Sequence, residues 1–285
     1  GWYRVSIEGG SFARGKAHGL LLADAIDKSL RAATFVSSNS YGMPMKRIAN
    51  LFLDVYGPVV KEKYGELYEE IEGIYSGMKS KKTKHSFAEL FLWNMWYTLG
   101  YALGNMADVV ENSPILKQKY GDLFEGQQGK SGAAEGGAGA SEKCTAFIAV
   151  GDWTKDGKIV CAHNTFDNFI DSQWVNVIMH IKPTKGNSIV MQTAPGQVAS
   201  GTDYYVTSNG FIVSETTIGG FNAFKLGDPI FCRIRTAVQY SNHLDDYVDF
   251  LSNGNGGDYA NSWLIGDTRN NEIMRIELGL KYVNV

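Results

Sequence analysis

The residue whose position most suggests chemistry is Cys144, which follows a stretch rich in Gly and Ala and opens a strongly apolar strand pattern, CTAFIAV. If the bond between Lys143 and Cys144 were cut, Cys144 would carry a new terminal α-amine with a reference pKa of about 7.7–8.0. That amine can act as the general base for its own thiol, so that one residue supplies both nucleophile and base. The structural alternative is a small buried apolar residue.

A thiol that attacks a carbonyl also needs hydrogen-bond donors for the oxyanion that forms. Two polar groups interrupt the predicted core strands: His163-Asn164-Thr165 ends the KIVCAH pattern, and Asn261 begins the SWLIGD pattern. Asparagine side-chain amides are good neutral donors. The structural alternatives are a hydrogen-bonded histidine at position 163 and a turn residue at position 261.

The remaining reactive side chains do not indicate a cofactor. Cys161 and Cys232 belong to no CxxC motif and are expected in the core, and an odd total of three cysteines argues against a disulfide scaffold. The five histidines lie at positions 18, 85, 163, 180 and 243, without a metal-ligand spacing such as HExxH. We therefore expect neither a metal nor an organic cofactor.

The net charge and the positions of the arginines indicate which kinds of partner the chain could bind. A net charge of −3 and a pI near 6.0 give no basic footprint for nucleic acid. Arg233 and Arg235 follow Pro229 on a predicted helix, where they are expected either to bind an acidic group of the substrate or to lie on a solvated helix face. The oligomeric state is not predicted.

Three regions differ in composition. Residues 1–125 have the apolar spacing of helices, residues 126–143 have the composition of a flexible linker that is cut or removed on maturation, and residues 144–285 form the β-rich catalytic segment of the same domain. Helices followed by strands, one helix and further strands indicate an α+β fold.

Local signals place several helix boundaries. One helix pattern spans 15–35, and a second, 48–75, is expected to break at Gly57–Pro58. A third is expected from Ser86 to about Val110, with Ser86 and Glu89 in capping-box positions, and a fourth from about 230 to 251. The third includes the uncharged stretch 90–107, which polar residues and glycines interrupt. We therefore expect a buried aromatic helix and no transmembrane span.

Several blocks of the sequence together resemble the phospholipase B-like family. They are CTAFI from Cys144, AHNTF from Ala162, SETTIG from Ser214 and NSWLIGD from Asn261, in the family's order, and they cover roughly residues 140–280. The segment GSFARGKAHGLLLA, residues 10–23, is similar to the opening of that family and of the related acyl-coenzyme A:6-aminopenicillanic acid acyltransferases.

The resemblance implies an N-terminal-nucleophile hydrolase. Its fold would be the four-layer αββα arrangement with two stacked antiparallel sheets between helices, and autoproteolysis would expose Cys144. Family members are longer and the last residues, LKYVNV, have a strand pattern, so we expect the natural protein to continue beyond Val285. The resemblance also suggests an exported or lysosome-like location, although the sequence contains no Asn-x-Ser/Thr acceptor for N-glycosylation.

The resemblance assigns the site as follows. His163 and Asn164 would line the site beside Cys144, and Asn261 would donate to the oxyanion. The substrate-binding wall is expected to include the residues Thr165, Glu215 and Thr216, with Glu215 or Thr216 near the amine.

The function expected from these features is hydrolysis of an acyl ester or amide bond, in a small-molecule or lipid substrate, through a thioester on Cys144. One alternative is an amidase or acyltransferase of the penicillin acyltransferase type, and another is a catalytically inactive binding protein. A third is an unprocessed cysteine hydrolase in which His163 is the base and Asp167 or Asp171 orients it.

Overall fold

The computed structural model describes residues 1–125, 144–166, 169–220 and 223–285. The expected linker, residues 126–143, and the expected orienter Asp167 lie outside the described residues, as does the side chain of Asp171. The helices are α1 Ser11–Leu21, α2 Ala23–Ser40, α3 Met45–Lys63, α4 Gly65–Ser80, α5 Phe87–Asn94, α6 Trp96–Glu111, α7 Pro114–Tyr120, α8 Phe169–Ser172, α9 Ile230–Tyr240 and α10 Leu244–Ser252, with a 3₁₀ turn at Gly121–Phe124. The strands are β1 Tyr3–Gly9, β2 Thr145–Gly151, β3 Gly157–Asn164, β4 Val177–Pro183, β5 Ile189–Thr193, β6 Tyr204–Thr207, β7 Phe211–Thr217, β8 Asn261–Asp267, β9 Glu272–Leu278 and β10 Val283–Asn284.

The strands form one large mixed sheet, in the order β1-β4-β5-β6-β7-β8-β9-β10, and a separate β2–β3 hairpin. The α+β class is confirmed. The expectation of purely antiparallel sheets is wrong for the large sheet, because β1 pairs with β4 in parallel. This strand comes from the segment interpreted as helical, where Val5 and Ile7 are its buried residues. Two inward side chains are a short signal, which is easily missed before a long run of helix patterns.

Alternate residues of the large sheet face two different layers. On one face, Phe211 of β7 packs against Tyr247 of α10, with ring centroids 5.2 Å apart. On the other face, the hairpin lies so close that a Cβ on Gly266 would come 3.0 Å from Ile148 and 3.1 Å from Ile159. Helices, large sheet and hairpin thus form three successive layers, and the hairpin crosses the strands that carry the candidate site residues.

Two helix boundaries differ from expectation. Gly57 and Pro58 lie inside α3, because the buried residues Phe52, Tyr56 and Val60 keep this helix against the core. Burial of an apolar face thus offsets the hydrogen bond that proline removes. The helix expected over 230–251 divides into α9 and α10.

The aromatic stretch after Ser86 is buried, as expected, but divides into α5 and α6 at Met95. The capping box is confirmed: the backbone N–H of Glu89 donates to Ser86 Oγ at 3.3 Å, and the backbone N–H of Ser86 donates to Glu89 Oε2 at 2.7 Å. No helix among the described residues is both long and apolar enough to cross a membrane.

Helices α1 and α4 pack at backbone contact through four glycines. A Cβ on Gly15 would lie 2.0 Å from the carbonyl oxygen of Glu70, and one on Gly19 would lie 2.0 Å from that of Ile74. From the other side, a Cβ on Gly73 or Gly77 would lie 2.3 or 2.5 Å from backbone oxygens of α1. This contact explains the glycine spacing of the residue 10–23 motif.

Candidate functional site

The hairpin positions Cys144 at its open end. Cys144 directly precedes β2, in which Thr145 pairs with Asn164 and Ala146 pairs with His163. The hydroxyl of Thr216, near the end of β7, donates to the carbonyl oxygen of Cys144 at 3.0 Å. The structure thus brings together Cys144, His163, Asn164 and Thr216.

His163 and Asn164 point in opposite directions. Along β3, the residues Ile159, Cys161 and His163 are half-buried on the side of the hairpin that faces the large sheet. The alternate residues, including Asn164, are exposed. His163 therefore faces the large sheet, and Asn164 faces away from it.

The imidazole of His163 is half-buried. Burial lowers its pKa below the ordinary value, an effect that the charge of Asp203 and the Glu215 backbone oppose. Its Nδ1 lies 3.3 Å from Thr165 Oγ1. Its Nε2 is buried and makes no hydrogen bond of standard geometry within the described residues, although the ring interacts with the backbone of Glu215. An imidazole can exchange a proton with a bound group.

A buried network that the sequence analysis missed lies next to these residues. The Tyr259 hydroxyl lies 2.7 Å from Glu215 Oε1, 3.3 Å from Asp203 Oδ2 and 2.9 Å from Thr217 Oγ1, within hydrogen-bond distance of each. Both carboxyl side chains and the tyrosine are buried. Asp203 also adopts a left-handed backbone conformation, with φ 52°, which a non-glycine residue seldom adopts away from a functional or strained site.

The pKa values of the two carboxyl groups in this network are both raised. Burial raises the pKa of Asp203, and burial together with the charge of Asp203 raises the pKa of Glu215 well above its usual range. A charge on Cys144 would raise the pKa of Glu215 further, so the thiol is electrostatically linked to this carboxyl. Two close carboxyls in a dry site favour a state with one shared proton. Neither Asp203 nor Tyr259 lies in a recognisable spacing, so only the folded chain reveals the pair.

Asn261 lies at the same end of the large sheet but on its other face. It pairs with Thr217, and Ser262 pairs with Thr216. Because directly paired residues share a face, Asn261 faces the helical layer with Thr217, opposite to Thr216. The side chain is fully buried, and neither its Nδ2 nor its Oδ1 has a partner within the described part of the chain.

Arg233 is not brought to this group, and the solvated helix face expected for it and Arg235 is wrong. Both side chains are 0% exposed. The guanidinium of Arg233 donates to Asp258 Oδ1 at 2.7 Å and to the backbone oxygens of Asp228 and Leu251. Arg233 is therefore a core residue, and each of its three guanidinium nitrogens already donates a hydrogen bond within the core.

Cys232 is fully buried, as expected, whereas Cys161 is only half-buried, and burial raises the pKa of each thiol. Neither cysteine therefore resembles an activated nucleophile. Within the four described ranges, no cluster of three or more His, Cys, Asp or Glu residues is arranged to hold a metal ion.

A cleft of about 820 Å³ opens along the outer edge of β3. It reaches His163, Asn164 and Thr165 at one end. Its lining comprises Gly1, Trp2, Cys161, Ala162, His163, Asn164, Thr165, Ser172, Gln173, Val175, Asn176, Gln192, Thr202 and Tyr204. The expected binding residue Thr165 therefore lies on a cleft wall, whereas Glu215 is buried beneath the site.

Comparison with known proteins identifies the family to which this chain is similar. The family model of phospholipase B matches residues 28–278. A putative phospholipase B-like 2 of Rattus norvegicus is 27% identical over 54% of this chain and 29% of its own length. An uncharacterized protein of Archaeoglobus fulgidus is 24% identical over 95% of this chain and 42% of its own. Phospholipase B-like 1 of Homo sapiens is 24% identical over 72% of this chain and 36% of its own. The matched part of the chain thus covers less than half the length of each of these relatives.

Proposed function

Because the chain belongs to the phospholipase B family, we propose that it hydrolyses acyl ester or amide bonds through a thioester on Cys144, after self-cleavage exposes the α-amine of that residue. The observation that carries this proposal is the position of Cys144. It stands at the strand end where Thr216 holds its carbonyl, one residue before the Thr145–Asn164 pair. The proposed fold is the four-layer N-terminal-nucleophile arrangement, with the hairpin as part of its second sheet.

In the proposed reaction, the α-amine takes the thiol proton and the sulfur attacks the substrate carbonyl carbon. The resulting tetrahedral oxyanion needs hydrogen-bond donors. Our candidate is the unpaired amide of Asn261, which must reach the oxyanion around the strand end, because Asn261 and Cys144 lie on opposite faces of the large sheet. The leaving alcohol or amine then takes the proton back as its bond to carbon breaks. Water, deprotonated by the same amine, hydrolyses the thioester and releases the acid.

The buried carboxyl pair supports this use of the amine. Glu215 is linked electrostatically to Cys144, and with Asp203 it forms a pair that favours one net negative charge. A single buried charge can fix the orientation of a terminal ammonium at Cys144 between proton transfers. Asn164 and Thr165 are proposed to bind the substrate beside the nucleophile.

One alternative mechanism has a specific observation in its favour. Asp203 interacts with His163, so an unprocessed enzyme could use His163 as the base and Asp203 as its orienter. An acyltransferase would share the thioester and differ only in the nucleophile that resolves it.

The proposal is tested by trapping the acyl-enzyme with an aryl ester and measuring the mass of the protein. We expect one acyl adduct on the peptide that begins with Cys144, no adduct and no turnover in Cys144→Ala, and nearly normal turnover in the matched variant Cys161→Ala. Loss of turnover in Cys161→Ala together with full turnover in Cys144→Ala would refute the assignment.

A further inference from the structure

The segment that joins β5 to β6, residues 194–203, is buried along its whole length. Such loops are uncommon, because each buried backbone N–H and C=O group needs a partner that water would otherwise supply. Asp203 is the last residue of this segment and has the left-handed backbone conformation, with φ 52°. A non-glycine residue keeps that conformation only where its surroundings fix it. The contacts of the segment therefore determine where the Asp203 carboxyl lies.

Two side chains at the junction of α5 and α6 bind the backbone of this segment. The Asn94 carboxamide donates to the carbonyl oxygen of Gly196 at 3.0 Å and accepts from the backbone N–H two residues further on, at 2.8 Å. The Tyr97 hydroxyl donates to the carbonyl oxygen of Gly201, which lies two residues before Asp203. The junction thus holds the segment both at its middle and next to the carboxyl that it carries.

The same turn of helix contacts Tyr259, the tyrosine that lies between the two carboxyls. The Tyr97 ring packs against the Tyr259 ring, with centroids 5.7 Å apart. The hydroxyl of Thr98 donates to Asp258 Oδ2 at 2.9 Å, one residue before Tyr259. The Tyr259 hydroxyl in turn lies 2.7 Å from Glu215 Oε1. One helical turn therefore fixes both loop segments whose side chains meet at the carboxyl pair.

We propose that Tyr97 is a positioning residue for the Asp203–Glu215 pair: its hydroxyl anchors the segment before Asp203, and its ring supports the tyrosine that contacts both carboxyls. The inference rests on the proposed function, in which this pair lies beneath the α-amine of Cys144. The hydroxyl and the ring each touch one of the two loop segments. An effect of Tyr97 on the reaction therefore passes through the carboxyl pair.

This role has a consequence for the charge near the nucleophile. Within the described ranges, the other titratable groups close to the pair are His163 on β3, Tyr205 on β6, Tyr259 before β8 and Cys144 before β2. Two carboxyls held together in a dry site favour one shared proton. Removal of the Tyr97 hydroxyl lets Asp203 withdraw from Glu215, so that both carboxyls ionise more readily. The added negative charge stabilises a terminal ammonium and raises its pKa.

The pH profile of kcat/KM for p-nitrophenyl acetate, corrected for spontaneous hydrolysis, tests this in the full-length enzyme. Tyr97→Phe keeps the ring and removes the hydroxyl, and we expect the rising limb of its profile to move to higher pH by about half a pH unit or more. Thr98→Val, which loosens the Tyr259 side instead, should move the limb in the same direction, and it is the second variant if Tyr97→Phe does not fold.

A matched control separates positioning from general destabilisation. Ser37→Ala removes a buried hydroxyl that donates to a backbone carbonyl oxygen at 2.8 Å, at the end of α2, and should leave the rising limb in place. A purely structural role for Tyr97 would reduce the amount of folded enzyme without moving the limb in Tyr97→Phe or in Thr98→Val. That result would overturn the inference.

Thermal melting in a Cys144→Ala background separates this inference from the proposed mechanism, because melting needs no turnover. The raised carboxyl pKa values make stability decline as pH rises, so adding Tyr97→Phe should reduce the decline and adding Ser37→Ala should not. An unchanged decline would overturn the inference whatever the mechanism. A reduced decline together with hydrolysis that persists in Cys144→Ala would overturn the proposed nucleophile and leave intact the role of Tyr97 in holding the pair.

Discussion

The hydroxyl of Thr216 donates to the carbonyl oxygen of Cys144 at 3.0 Å, which joins the hairpin to the large sheet at the proposed nucleophile. Thr216 belongs to β7, and its neighbours Glu215 and Thr217 point to the other face, into the Tyr259 network. One strand end therefore contacts both the residue that would attack and the carboxyl pair beneath it. A change in the hydrogen bonds at this end of β7 should therefore affect catalysis more than folding.

Removing this hydroxyl should slow the reaction. We expect Thr216→Val to lower kcat by about tenfold, the usual effect of one lost hydrogen bond on a barrier, and Thr216→Ser to restore most of it. Thr154→Val, which removes a threonine hydroxyl bond at the far hairpin turn, is the matched control. Equal kcat values for Thr216→Val and the control would show that the bond does not position Cys144.

Asn261 should act on charge that develops during the reaction. We expect Asn261→Ala to lower kcat by roughly two to three orders of magnitude with a much smaller change in KM. Asn261→Asp should be at least as damaging, because a carboxylate repels the oxyanion. Steady-state kinetics with aryl esters measures both. An unchanged kcat in Asn261→Ala would assign the residue to the helical face alone, with the Tyr259 network.

The sequence predicted what depends on local pattern and missed what depends on tertiary contact. The capping box of Ser86 and the strand carrying His163 follow from short-range spacing, and both are present. Tyr259 and Asp203 are far apart along the chain and meet only because β6 and β8 both pair with β7. Arg233 has the sequence context of a surface helix, and only the folded chain supplies Asp258 to bury it.

The carboxyl pair should give stability a distinct dependence on pH. Since the folded-state pKa of Glu215 is raised, its contribution is fully present below its unfolded pKa of about 4.3 and is lost as pH rises through the folded value. Glu215→Gln should therefore reduce the decline in melting temperature that the unsubstituted protein shows above about pH 4.3, leaving the part that the raised pKa of Asp203 contributes.

His18 contributes with the opposite sign in the same measurement. Burial lowers its pKa to about 4, so its contribution is present above the unfolded value of about 6.5 and is lost as pH falls towards 4. His18 is present in both proteins, so its contribution cancels when the melting temperature of Glu215→Gln is subtracted from that of the unsubstituted protein at each pH. Curves that remain parallel at all pH values would contradict a raised pKa for Glu215.

The contact between α1 and α4 should tolerate no side chain at Gly19. A Cβ there would overlap a backbone oxygen of Ile74 at 2.0 Å, and backbone yields little. We expect Gly19→Ala to lower the free energy of unfolding by about 2 kcal/mol or more. Gly104→Ala, on the exposed side of α6 with open space around it, should raise it by about 0.5–1 kcal/mol. Denaturant unfolding measures both, and equal effects would contradict the close packing.

The central claim is that Cys144 becomes a chain terminus, and intact mass with N-terminal sequencing tests it most directly. We expect the purified full-length protein to contain two polypeptides, one of which begins with Cys144, and Cys144→Ala to remain a single chain. Cys144→Ser should be cut more slowly, because a hydroxyl is the weaker nucleophile at neutral pH. A single uncut chain with full activity would contradict the account and favour His163 as the base.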